Sequence, residues 1–205
     1  VSRIHLCAVV FILACGPGRF EDGTAETVES GEETNGETGV PADMLSDADK
    51  DELDALGDEL QQIAEAAVAW FEASELPHRC PHLIGTPEGG DSVFTPELSL
   101  NCNEGPDHRC IPSDAGESGG GYYSSTWWVD HPIWVALGFE KTEPHSFHYN
   151  FEATNTLDGY GACTFTVQAR GDLDDDALFS TYSIRGTIDE NGSVIEPLEI
   201  IDPHE

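Results

Sequence analysis

The feature that most constrains this chain lies in its first fifteen residues, which end Ile12-Leu13-Ala14-Cys15. Arg3 and His5 stand in a short polar start, and Leu6 to Leu13 are almost wholly apolar. That run is too short to cross a bilayer, and small Ala14 leads directly into a cysteine. A basic start, a short apolar run and a small residue at a cut site form the layout of a secretory signal. The consequence reaches the whole fold, because cysteines beyond the cut are then expected to meet an oxidising compartment, where disulfides form and persist.

A cysteine immediately after the cut resembles a bacterial lipobox. The resemblance implies that residues 1–14 leave as a signal peptide and that Cys15 is diacylated as the first mature residue. Two acyl chains suffice for stable attachment to a membrane, and no later segment is long and apolar enough to span one. Gly16, rather than Asp, follows the lipid-bearing cysteine and is compatible with onward sorting. The expected address is across the inner membrane, anchored by lipid at the outer membrane, facing the periplasm or the cell surface.

Of six cysteines, Cys7 leaves with the signal and Cys15 takes lipid, so Cys80, Cys102, Cys110 and Cys163 remain. Four cysteines allow three connectivities. The favoured pairing joins Cys102 to Cys110 across a small polar loop and Cys80 to Cys163, tying the end of a helix to a strand. A zinc site around His78, Cys80 and His82 competes, but the spacing matches no familiar zinc module.

The net charge of −32 rules against nucleic acid, whose phosphates need lysines and arginines that this chain lacks. It also rules against a basic lipid-binding patch. Residues 15–45 are rich in Gly, Glu and Thr and nearly free of large apolar groups. Such a segment cannot bury enough surface to offset its ordering entropy, so it reads as a disordered acidic tether. The folded domain is expected over 46–205.

Ser46 can cap a helix, and Asp47, Asp49, Asp51 and Glu52 suit the positive end of its dipole. Leu53, Leu56, Leu60, Ile63, Ala67 and Phe71 recur at helical spacing, which predicts one amphipathic helix over 46–75. Residues 78–145 read as an irregular, proline- and glycine-rich loop region bearing the cysteines. Inside it Tyr122, Tyr123, Trp127, Trp128, Trp134 and Phe139 form an aromatic knot, expected to be core, with Trp127, Trp128 and Trp134 as an alternative ligand platform for surface glycans. The last sixty residues alternate in strand fashion between turn signals, which predicts an antiparallel meander. The expected fold is therefore α+β: a long N-terminal amphipathic helix packed on a four-stranded meander.

That order is similar to bacterial type IV pilins and pseudopilins. "WVALGF" at Trp134–Phe139, "HSFHYNF" at His145–Phe151, "CTFTVQARGDLDDDALFSTYSIRG" at Cys163–Gly186, Cys80-Pro81 and "CNEGPDHRC" at Cys102–Cys110 resemble motifs of a pilin-like subgroup, in the same order. The resemblance implies a pilin-like globular head, with pilus or secretion components as partners. The leader and long apolar stem of true pilins have no counterpart here, and the lipid on Cys15 stands in their place as anchor.

Asp172, Asp174 and Asp176 have the D-x-D-x-D spacing of calcium loops, whose hard oxygen ligands suit Ca²⁺. Asp175 and Ala177 stand where such loops usually carry glycine, and Ser183 where they carry glutamate. No other cofactor is expected. His145, Ser146 and His148 offer the residue types of a hydrolase, but no nucleophile elbow, phosphate loop or zinc-protease helix accompanies them. The expectation is a lipid-anchored structural or adhesive protein and not an enzyme. A calcium- or glycan-binding module and a secreted hydrolase are the alternatives.

Overall fold

The computed structural model describes residues 47–201, apart from Gly116 and Ser118. The signal segment, Cys15, the tether and Ser46 lie outside the described residues.

Helix α1 runs Asp47–Ala73 with Asp47 and Asp49 in its first turn. Leu56, Leu60, Ile63, Ala64, Ala67 and Phe71 are all buried, so the apolar stripe faces inward as its spacing requires. Ser74 ends the helix. Its hydroxyl donates to the Phe71 carbonyl at 2.8 Å and accepts the Arg79 N–H at 3.1 Å, which supplies partners at a terminus that has none of its own.

The next segment holds β1 (Gly89–Asp91), β2 (Ile111–Ser113), β3 (Tyr122–Ser124), α2 (Thr126–Val129) and α3 (Pro132–Leu137). Then come β4 (His148–Thr156), β5 (Ala162–Gly171), β6 (Ser180–Asp189), β7 (Gly192–Ile195) and β8 (Glu199–Ile201). Six strands form one antiparallel sheet in the order β1-β4-β5-β6-β7, with β8 on the remaining stretch of β6. β2 and β3 make a separate parallel pair. Tyr149, Phe151 and Ala153 of β4 share the buried face with Cys163, Phe165, Val167 and Ala169 of β5 and with Tyr182, Ile184 and Ile188 of β6. Helix α1 lies across β5 and β6 on this face.

Acidic residues of α1 pin the loop region to it. The Arg109 guanidinium reaches Glu52 at 2.6 Å and Asp49 at 3.2 Å. Glu52 also accepts the Ser146 N–H at 2.7 Å and its hydroxyl at 3.1 Å. Glu59 pairs with Lys141 at 2.6 Å and accepts the Tyr149 hydroxyl at 2.5 Å. Burial, then the Glu59 carboxylate, raise the Tyr149 hydroxyl well above the ordinary tyrosine pKa.

Two disulfides join Cys80 to Cys163 and Cys102 to Cys110. The first ties the chain just beyond α1 to β5. The second closes the polar loop of residues 102–110.

The expected helix-on-meander fold is overturned. The protein is mainly a six-stranded antiparallel sheet, not a four-stranded meander, and the one long helix among the described residues, Asp47–Ala73, lies within the predicted 46–75 and not at the N-terminus of the chain. The added edge strand β1 comes from the supposedly irregular region. Its Gly89-Gly90 reads as a turn because glycine disfavours strands, yet only glycine fits here. A Cβ on Gly89 would lie 2.5 Å from the Ala153 oxygen, and one on Gly90 2.8 Å from the His82 Cα. The last strand-like segment, in turn, splits into β7 and β8 around Pro197, and both pair with β6.

Candidate functional site

Among the described residues, a surface cleft of about 400 Å³ lies between the sheet edge and the α2–α3 turn. That volume lies in the range of small-ligand sites. A bulge builds its sheet side. β1 pairs in regular register with β4, and the Ser92 N–H continues this to the Phe151 carbonyl at 2.8 Å. Thr95 then faces Tyr149, so the edge carries one residue more than β4 between these points. Such a bulge re-aims side chains and is common beside functional sites.

Ser92 locks the bulge by accepting the Phe151 N–H and donating to Asn150 Oδ1, each at 2.8 Å. Val93 is held at φ 59°, its N–H donating to Asp91 Oδ1 at 2.7 Å. A β-branched residue is costly in this left-handed region, and Val93 is nevertheless 59% exposed beside the cleft. Phe94 lies next to it, with the Arg170 guanidinium 4.8 Å above its ring.

Trp127, Asp130 and His131 form the opposite wall, and Glu97 lies on the sheet side. The aromatic platform divides here. Trp127 is 38% exposed, whereas Trp128 and Trp134 are buried to 1% and 0% and present no face to a ligand. His131 Nδ1 is buried without a hydrogen-bond partner. Burial lowers the His131 pKa, against the opposing pull of the Asp91 carboxylate.

Beneath the cleft, Trp128 Nε1 donates to the Tyr123 oxygen at 2.8 Å, and the Tyr123 hydroxyl meets His145 Nε2 at 2.7 Å. His145 Nδ1 lies 2.8 Å from the Phe147 carbonyl, which can only accept. The tautomer follows: Nδ1 carries the proton and Nε2 accepts from tyrosine. Burial drives the His145 pKa down to about 3. His148 is also buried and lowered in pKa, with Nδ1 donating to the Pro96 carbonyl at 2.9 Å. Ser146 is engaged with Glu52. The three residues of the hydrolase alternative are thus each committed to internal partners. Cys80, the cysteine of the alternative zinc cluster, is disulfide-bonded.

The acidic loop brings carboxylate oxygens of Asp172, Asp174 and Asp176 within 4.8 Å of one another. The two positions lacking glycine make the left-handed turn all the same, Asp175 at φ 58° and Ala177 at φ 67°. Asp172 accepts the N–H groups of Asp176 and Ala177, each at 3.1 Å. Asn103, beside the Cys102–Cys110 disulfide, donates to Asp175 at 2.9 Å and to Asp172 at 3.3 Å. Asp174 Oδ2 is buried without a partner. Burial first, with the Asp174 and Asp176 charges adding, raises the Asp172 pKa.

Sequence reasoning missed Val93, Phe94, Glu97, Asp130 and His131. The only local signal was the D-S-V-F-T-P run, and nothing in it announces a bulge. No family model, curated protein or solved structure matches this chain.

Proposed function

We propose that this chain is a lipid-anchored protein of the bacterial envelope whose folded head acts by binding in an adhesive or display role, not by catalysis. The observation that carries the reading is the Trp127 cleft, an exposed aromatic wall facing a locked, strained bulge. The lipobox-like Cys15 supports the anchor, and two disulfides fit an oxidising compartment. The pilin resemblance rests on short motifs and on a helix followed by a four-stranded meander, and the observed sheet has six strands. The proposal therefore rests on the signal and the cleft. Among the described residues no helix is long and apolar enough to cross a membrane, so the membrane partner would be met through lipid.

Intact mass and membrane fractionation of the native protein test the anchor. The expected species begins at a diacylated Cys15, carries two disulfides and sediments with membranes. An unmodified N-terminus elsewhere would overturn it. A second reading adds calcium at the acidic loop, favoured by the unpartnered buried oxygen of Asp174.

A further inference from the structure

We infer that the Trp127 cleft takes an organic cation, an ammonium or guanidinium group carried on an apolar body. This deepens the binding reading above and rests on it.

Few polar groups of the cleft remain for a ligand. Its hydroxyls are engaged within the protein. Ser92 serves Asn150 and the Phe151 N–H. Thr95 Oγ1 accepts Trp134 Nε1 at 2.9 Å, and Thr126 Oγ1 pairs with Ser124 at 2.8 Å. The side chains that remain are the carboxylates of Asp130 and of Glu97, the latter also accepting the Ser99 hydroxyl at 3.4 Å, His131 with its unpartnered Nδ1, and the apolar surfaces of Trp127 and Val93. A saccharide asks for donors and acceptors around a ring. Apart from the one imidazole of His131, the cleft offers carboxylate acceptors and an aromatic face, the combination that attracts a cation through the ring quadrupole and Coulomb force together.

The surroundings have the same sign. The exposed Asp91 carboxylate, which accepts the Val93 N–H, is close enough to His131 to oppose the fall in its pKa. Arg170, which does not line the cleft, seats its guanidinium 4.8 Å from the centre of the Phe94 ring, so an aromatic of this cleft already receives a cation on one face. The chain as a whole carries −32, a field that draws cations in and repels anions.

Calorimetric titration of the full chain tests the inference. Choline probes a quaternary ammonium, arginine methyl ester the side chain of a basic peptide, 3,3-dimethyl-1-butanol is the uncharged isostere of choline, and a panel of neutral saccharides completes the set. Choline or the arginine ester is expected to bind, with the isostere at least about tenfold weaker. Trp127→Ala is expected to weaken binding by about tenfold and Trp127→Phe by less. Asp130→Asn, which keeps the size of the side chain, is expected to weaken it measurably and to flatten its salt dependence. Which cation binds identifies a small-molecule or peptide source. Equal binding of choline and its isostere, or cation binding indifferent to both Trp127 and Asp130 variants, overturns the inference. Saccharide binding lost in Trp127→Ala, with no cation binding, overturns the inference while keeping the binding head. Silence from every probe overturns the cation site, and the anchor is judged separately by mass.

Discussion

The Tyr123 hydroxyl joins Trp128 to His145, accepting from the indole at 2.8 Å and donating to the imidazole at 2.7 Å. All three side chains are buried, so the tyrosine satisfies two groups that water cannot reach. Tyr123→Phe keeps the ring and strands both partners. Each buried orphan costs about 1–3 kcal/mol, so a loss of roughly 2–6 kcal/mol is expected in denaturant unfolding. A loss below about 0.5 kcal/mol would mean the network is not made.

The same network sets a pH dependence. His145 has a folded pKa of about 3 against an ordinary 6.5, and His148 is lowered in the same direction. Below 6.5 the unfolded chain binds protons that the folded chain refuses, so stability falls as pH drops from 6.5 towards 3. The slope is at most about 1.4 kcal/mol per pH unit for each histidine. Asp172 works in the opposite sense, since its raised pKa gives a contribution present below 3.8 and lost as pH rises through the folded value. Urea unfolding between pH 7 and 4.5 is expected to show a steady loss, and a flat profile would contradict these histidine assignments.

The two disulfides should differ in weight. Cys80–Cys163 spans 83 residues of sequence and Cys102–Cys110 spans 8. Chain-entropy arguments give about 4.5 kcal/mol for the longer closure and about 2.5 kcal/mol for the shorter. Paired alanine variants compared by unfolding check the order. A larger loss from Cys102→Ala/Cys110→Ala would show that tethering the acidic loop through Asn103 outweighs loop closure.

How much of this was legible in the sequence depended on periodicity. Leu56 to Phe71 announced α1, and alternation in Cys163–Ala169 announced β5, because a long buried face leaves a regular trace. β1 left none. It is three residues long, glycine at two of them, and exists because close backbone packing excludes a side chain. The cleft was invisible for a related reason: a bulge depends on register against β4, which no local pattern encodes. Of the aromatic knot, composition gave the burial of Trp128 and Trp134 but could not tell that the adjacent Trp127 would face outward.

Calcium at the acidic loop has a melting test. If the loop takes Ca²⁺, stability rises over an EDTA control by about 2.7 kcal/mol at a hundredfold excess over Kd. Asp174→Asn is expected to remove most of the effect, since Asp174 supplies the unpartnered oxygen. Identical melting in calcium and EDTA would set this reading aside without touching the cleft.

Hydrogen exchange of the full chain, with and without a saturating cation ligand, tests the central claim most directly. Slowed exchange is expected in the segments around Ser92–Glu97 and Thr126–Pro132, the two walls of the cleft, with the 172–178 loop unchanged. Protection confined to that loop, or spread without regard to the Trp127 cleft, would contradict it.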